Sequence, residues 1–409
     1  VLHNGRRRNP TVHLSRNDRG RTDENVGPGE RFVSKVTFWS LGDSPKEIPP
    51  EGYAYKCEDA SYCKPILYKL FVLPIANRLP GRIAPNDITW ISQLFAFLPA
   101  LFGVWLAEAN IAPWWTAVVP SLGWLGYVIL DHLDGTHARR TGQSSPLGEL
   151  VDHWCDAWNG ALVPFAWSMC WGGIHYPMVT TVLAVLGAFA YTFAVSEHKA
   201  TGVMKLDPMG GNEGMLLMAC TMISLAVFGR QTVLNYPLPV IHGYTVQHLL
   251  QFLCGLGCVG TVKNVILRSG TQAIADTFPL MVSSLLVIAW VYLGLDVRYA
   301  CFMLAAITAI VSGRMVLART TGLPYRWDGL GIATLLLGIS IESAHPDTRT
   351  QVWTWGIALA VLVIRACADF GWGANVCARW IRSGEALALF VAPRRVELPA
   401  DESQAIKKI

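Results

Sequence analysis

About ten apolar stretches between Ile88 and Ala368 decide most of what this chain can become. They run from about Ile88 to Ala107, Ile111 to Leu130, Ala157 to Trp171, Pro177 to Val195 and Gly214 to Phe228. Five more follow at about Val246 to Leu267, Phe278 to Leu293, Tyr299 to Leu317, Leu330 to Ile341 and Val352 to Ala368. Crossing the hydrocarbon layer takes roughly 20 apolar residues as a helix. The pattern predicts an all-α fold: a polytopic membrane helical bundle of about ten transmembrane helices. Composition agrees, with 52% hydrophobic and only 15% charged residues. The net charge of +4 is spread over loops and both ends, so no nucleic-acid patch is present. Ten cysteines contain no CxxC pair and fall mostly in apolar segments, which argues against a disulfide framework.

The flanks complete the domain plan. Residues 1–50 are polar and Arg-rich and are expected to be a disordered cytosolic tail. Within 51–87, Lys64 to Leu79 is apolar on one side and basic on the other, as expected of an N-terminal interfacial amphipathic helix. Residues 88–230 are expected to form the catalytic core, 231–380 additional transmembrane helices and 381–409 a cytosolic C-terminal tail. The chain starts with Val, so an initiator or a longer leader is expected ahead of it, and no cleavable signal pattern is visible in the residues given. An even number of spans, with Arg-rich Val1 to Arg21 and the tail residues Arg394, Arg395, Lys407 and Lys408, puts both ends in the cytosol. The connection between the second and third spans then faces the cytosol too.

That connection holds the least expected residues in the chain. Asp131 and Asp134 are spaced i, i+3, and Asp152 and Asp156 are spaced i, i+4, so each pair shares one face if its segment is helical. One Asp at the centre of a membrane helix costs roughly 2.5–3.5 kcal/mol, so four need a wet cavity and neutralisation. Mutual repulsion adds about 4 kcal/mol per pair at 4 Å. Divalent cations remove both penalties. Every ligand on offer is a carboxylate oxygen and no His or Cys pair has zinc spacing, so the expected ions are hard, Mg2+ or Mn2+, with room for two. Gly135, Ala138 and Gly148 are small enough for close approach, and Arg139 can fork onto phosphate. The stretch looks like a site for a metal-bound diphosphate.

The pattern D-x2-D-G-x2-A-R-x8-G-x3-D-x3-D, filled at all eight positions, resembles the signature of the CDP-alcohol phosphotransferase family. SSPLGELVDHWCD and Pro85-Asn86-x-Ile88-Thr89 are similar to the choline/ethanolamine phosphotransferase branch, as is the span count. The likeness covers about Lys64 to Glu213. It implies transfer of phosphocholine or phosphoethanolamine from CDP-choline or CDP-ethanolamine to diacylglycerol, releasing CMP. By the same resemblance Asp131, Asp134, Asp152 and Asp156 hold two Mg2+ or Mn2+ ions, and Asn86, Gly135, Ala138, Arg139 and Gly148 contact the CDP part. His153 is the expected base and Glu213 an orienting partner, with Asp156 the base assigned in smaller relatives. Glu197, His198 and Lys199 are candidates for phosphate contact, and Trp154 and Trp158 for a choline pocket. The family implies a homodimer in the endoplasmic reticulum or Golgi membrane, with the site facing the cytosol. Two other readings stand beside this one: the same chemistry with ceramide or another lipid alcohol as acceptor, and a divalent cation transporter. The transporter should show corresponding repeats, and none is visible.

Overall fold

The computed structural model describes residues 55–108, 115–208, 210–229, 232–233, 236–238 and 243–380. The predicted tails at 1–50 and 381–409 lie outside them. Among these residues eleven helices follow in order, besides a short 3-10 turn at Gly173–His175. The first, α1, is three abutting pieces, Lys64–Leu67, a wider π turn Tyr68–Val72, and Leu73–Arg78. Then come α2 (Pro85–Glu108), α3 (Trp115–Thr141), α4 (Pro146–Cys170), α5 (Pro177–Thr201) and α6 (Gly211–Phe228). The rest are α7 (Val246–Ser269), α8 (Thr271–Leu293), α9 (Val297–Thr321), α10 (Gly329–Ala344) and α11 (Thr348–Trp380).

Seven helices among the described residues, α2, α5 to α9 and α11, are long and apolar enough to cross a membrane, and α10 is a shorter apolar helix. With α3 and α4, which carry the aspartates, they make a polytopic helical membrane protein. α1 buries Leu67, Val72 and Ala76 against Tyr127, Val128 and Leu133 of α3, while Ile66, Leu70 and Phe71 stay exposed. An apolar outer face on a short helix with basic residues suits a position at the membrane surface.

One expectation is corrected. The aspartates do not sit in a connection between spans: α3 continues past Leu130 to Thr141, and α4 starts at Pro146 rather than Ala157. Hydropathy mistakes charged helical turns for loops, because it registers polarity and not backbone pairing. The true connection is only 142–145. Gly142 adopts a left-handed φ of 68°, Gln143 N donates to Ala138 O (2.8 Å), and Ser145 caps α4 by accepting from Gly148 N (3.0 Å).

The core is built around α9, whose side chains are almost all buried against α4, α5 and α11. Small residues permit this closeness. A Cβ placed on Gly187 of α5 would lie 2.3 Å from the Gly160 carbonyl of α4, so these two backbones touch. Two three-residue strands, β1 (Cys57–Asp59) and β2 (Met204–Leu206), pair in parallel and bring the N-terminal segment across the mouth of the bundle.

Candidate active site

α2 packs against both α3 and α4 and holds them so that their aspartates converge. Oxygens of Asp131, Asp152 and Asp156 lie within 4.8 Å of one another, all three residues being half-buried. Asp134, fully buried, is turned toward α2, where Thr89 Oγ1 donates to its Oδ2 (2.5 Å) and its own neighbour Gly135 N donates to Oδ1. Tyr127, one turn before Asp131, donates its hydroxyl to Asp156 Oδ1. Gln93 and Asn159 exchange two amide hydrogen bonds (3.1 and 3.0 Å) and pin α4 to α2 just beyond Asp156. Among the described residues no lysine or arginine is paired with any of these four carboxylates; the nearest basic group is His153 Nδ1, 4.0 Å from Asp152 Oδ2. Clustered acids without counter-charge, in helices of a membrane bundle, fit hard divalent cations.

The expected CDP contacts gather at one end. Gly148 faces Asn86, whose Oδ1 lies 3.4 Å from where a Cβ would project, so a larger residue would crowd the pair. Gly135 leaves room for the Arg139 guanidinium, whose Nη1 lies 3.3 Å from its would-be Cβ. Arg139 is exposed and makes only a long bond to Thr136 Oγ1 (3.4 Å). Arg140, by contrast, donates to the Leu79 carbonyl and fastens the end of α1. Ala138 lies on the same turn, half-buried.

His153 is buried, with Tyr191 donating to its carbonyl (2.7 Å) and neither ring nitrogen hydrogen-bonded. Glu213 stands at the first turn of α6. Its Oε1 accepts from Ser61 Oγ (2.6 Å) and Cys63 N (3.1 Å), and its Oε2 accepts from Gly210 N (3.2 Å). It therefore fastens the N-terminal segment over the site. Of the three residues ending α5, Glu197 is taken by Arg268 (2.7 and 2.8 Å) and Lys199 by Asp276 (2.8 Å), while His198 turns inward to His153. Trp154 stacks on Phe370 of α11 (4.5 Å) and Trp158 is buried, so both are engaged in packing.

Thr89 and Tyr127 escaped the sequence reading as contributors. Each had a signal: Thr89 belongs to the Pro85-Asn86-x-Ile88-Thr89 stretch, and Tyr127 is at i−4 from Asp131.

Residues 82–247 match the family model described as CDP-alcohol phosphatidyltransferase. The chain is 32% identical over 187 residues to choline/ethanolaminephosphotransferase 1 of Saccharomyces cerevisiae, covering 45% of this chain and 47% of the relative. It is 27% identical over 214 residues to human cholinephosphotransferase 1, covering 52% and 51%. A third relative, an uncharacterized CDP-alcohol phosphatidyltransferase class-I family protein of Dictyostelium discoideum, is 28% identical over 285 residues, covering 65% and 74%. The chain spans about half the length of the yeast and human relatives it matches. With the complete aspartate motif on facing helices, these matches show that the chain carries, at residues 82–247, a domain of the CDP-alcohol phosphatidyltransferase family.

Proposed function

We propose that this protein transfers phosphocholine or phosphoethanolamine from CDP-choline or CDP-ethanolamine to the hydroxyl of diacylglycerol, giving phosphatidylcholine or phosphatidylethanolamine and CMP. The observation that carries the reading is the convergence of Asp131, Asp152 and Asp156 without a basic partner among the described residues, inside a membrane bundle. The names of the relatives supply the head groups. Two Mg2+ or Mn2+ ions held by Asp131, Asp134, Asp152 and Asp156 would neutralise the diphosphate and stabilise charge developing at phosphorus.

The chain's own residues do the rest. Thr89 and Tyr127 fix Asp134 and Asp156, so that the carboxylates keep their orientation without substrate. Arg139, with Asn86, Gly135, Ala138 and Gly148, holds the CDP part, its free fork suited to phosphate oxygens. The lipid hydroxyl attacks the β-phosphorus from the side opposite CMP. As the new P–O bond forms, the hydroxyl proton passes to His153, and CMP leaves with the electron pair of the broken P–O bond. The free nitrogens of His153 favour it as acceptor over Glu213, which we assign to positioning the segment at 61–63.

Orientation follows from charge. Following the helices in alternation, the described connections at the site end carry Arg78, Arg82, Arg139, Arg140, Lys199, Lys205, Arg268 and Arg326, against Arg298 and Arg349 at the other end. By the positive-inside rule this bias supports a site that faces the cytosol. Residence in the endoplasmic reticulum or Golgi and a homodimer are carried over from the family.

The test is site-directed. In liposomes with diacylglycerol and Mg2+ or Mn2+, Asp152→Asn, Asp156→Asn and His153→Ala should each lose head-group transfer, while Glu213→Gln should lose stability more than turnover. Full activity in His153→Ala would remove it as the base.

A further inference from the structure

A second cluster adjoins the aspartates on α4, with Glu149 one turn before Asp152 and His153 directly after it. Glu149 and His153, at i, i+4, share a face of α4, and His198 reaches them from the end of α5. One donor atom of each lies within 4.8 Å of the other two. All three residues are buried, at 7%, 3% and 1% exposure, which makes the next fact decisive. Both ring nitrogens of His153, both of His198 and Oε2 of Glu149 have no hydrogen-bond partner. Five buried polar atoms without a partner on three neighbouring side chains are rare in a folded interior. The other Glu149 oxygen accepts from Arg319, which holds the carboxylate in place. Tyr55 closes the cluster, its ring 5.6 Å from that of His153 and 5.5 Å from that of His198.

We propose that Glu149, His153 and His198 form a metal site for a borderline divalent cation, typified by Zn2+, and that filling it switches the enzyme off. Two imidazoles and one carboxylate are a donor set that favours Zn2+ over Mg2+, whereas the all-oxygen aspartate cluster favours Mg2+ or Mn2+. The two adjacent sites therefore sort metals by donor type. A tetrahedral Zn2+ with bonds of about 2.1 Å sets its donors about 3.4 Å apart, so the three side chains close by on the order of 1 Å and leave a fourth position for water. The inhibitory half rests on the function proposed above: a lone pair of His153 given to a metal cannot take the proton of the attacking hydroxyl.

The test uses the full chain purified in detergent, with Zn2+ as the probe and Mg2+ in large excess. The expected result is one tightly held Zn2+ per chain with imidazole ligation in its X-ray absorption spectrum. His198→Ala should weaken Zn2+ binding by at least ~100-fold, beyond what removing a mere supporting contact does. Asp131→Asn should leave it in place. In the transfer assay micromolar Zn2+ should stop the wild type, while whatever rate His198→Ala shows without Zn2+ should persist when Zn2+ is added. Zn2+ binding that survives His198→Ala, or that disappears with Asp131→Asn, overturns the site. Binding at the cluster with undiminished transfer overturns the inhibitory role. Because the metal is read directly, an inactive preparation would count against the proposed reaction and not against the site.

Discussion

Arg319 of α9 donates to Glu149 Oε1 one turn before Asp152, and their side chains are only 15% and 3% exposed. This pair joins a helix outside the family match to the helix that carries the aspartates. Its Coulomb attraction, about 4 kcal/mol at 4 Å with an effective dielectric near 20, is offset by the cost of desolvating both ions. The pair therefore adds little net stability, and the large effect lies in breaking it unevenly. Arg319→Met strands a buried carboxylate and should lower the unfolding free energy by about 3–5 kcal/mol. Glu149→Gln alone leaves a less buried guanidinium and should cost less. The double variant Arg319→Met/Glu149→Gln removes both charges and should recover most of the loss, a coupling of roughly 2–3 kcal/mol. Denaturant unfolding of the four proteins in one detergent, followed by tryptophan fluorescence, measures it. A coupling under about 0.5 kcal/mol, or a double variant as unstable as the sum of the singles, would refute the reasoning.

Three further outcomes follow. Thr89→Val removes the hydroxyl that orients Asp134, so the Mg2+ concentration for half-maximal transfer should rise about 10–100-fold, with the rate largely recovered at saturating metal. Gly187→Ala puts a methyl 2.3 Å from the Gly160 carbonyl and 2.6 Å from Pro164 Cγ, and should cost about 1–3 kcal/mol, whereas Gly214→Ala, with nothing within 4 Å, should be near neutral by thermal unfolding. At the start of α9, burial raises the Asp296 carboxyl but hydrogen bonds from the Arg298 guanidinium and N–H outweigh it, holding the group below the ordinary carboxylate value. Its contribution is thus present above the unfolded value of about 3.9 and lost as pH falls through the lower folded one, so wild type and Asp296→Asn should converge in stability below about pH 4.

What was legible in the sequence was local. The aspartate spacings are sequence-close and helical, so their sharing of a face could be read directly, as could the apolar runs that form the bundle. The ends of those runs were misread around the site because α3 and α4 carry their charges on helical turns rather than in a loop. Long-range partners left no trace: His198 meets His153, Arg319 meets Glu149, and β1 meets β2, each across dozens of residues with no periodicity to announce it. No histidine pair has zinc spacing along the chain, and the approach of His153 to His198 is made by helix packing alone. Glu213 was recognised as notable, but its partners Ser61 and Cys63 lie 150 or more positions away, so its tethering role was invisible.

The most direct measurement is head-group transfer by the purified protein in liposomes containing diacylglycerol or, separately, ceramide, with labelled CDP-choline or CDP-ethanolamine. The account predicts a labelled phosphatidylcholine or phosphatidylethanolamine and an equal amount of CMP, dependent on Mg2+ or Mn2+ and lost in Asp152→Asn. Transfer to ceramide alone would contradict the proposed acceptor, and product formation undiminished by Asp152→Asn would contradict the aspartate site itself.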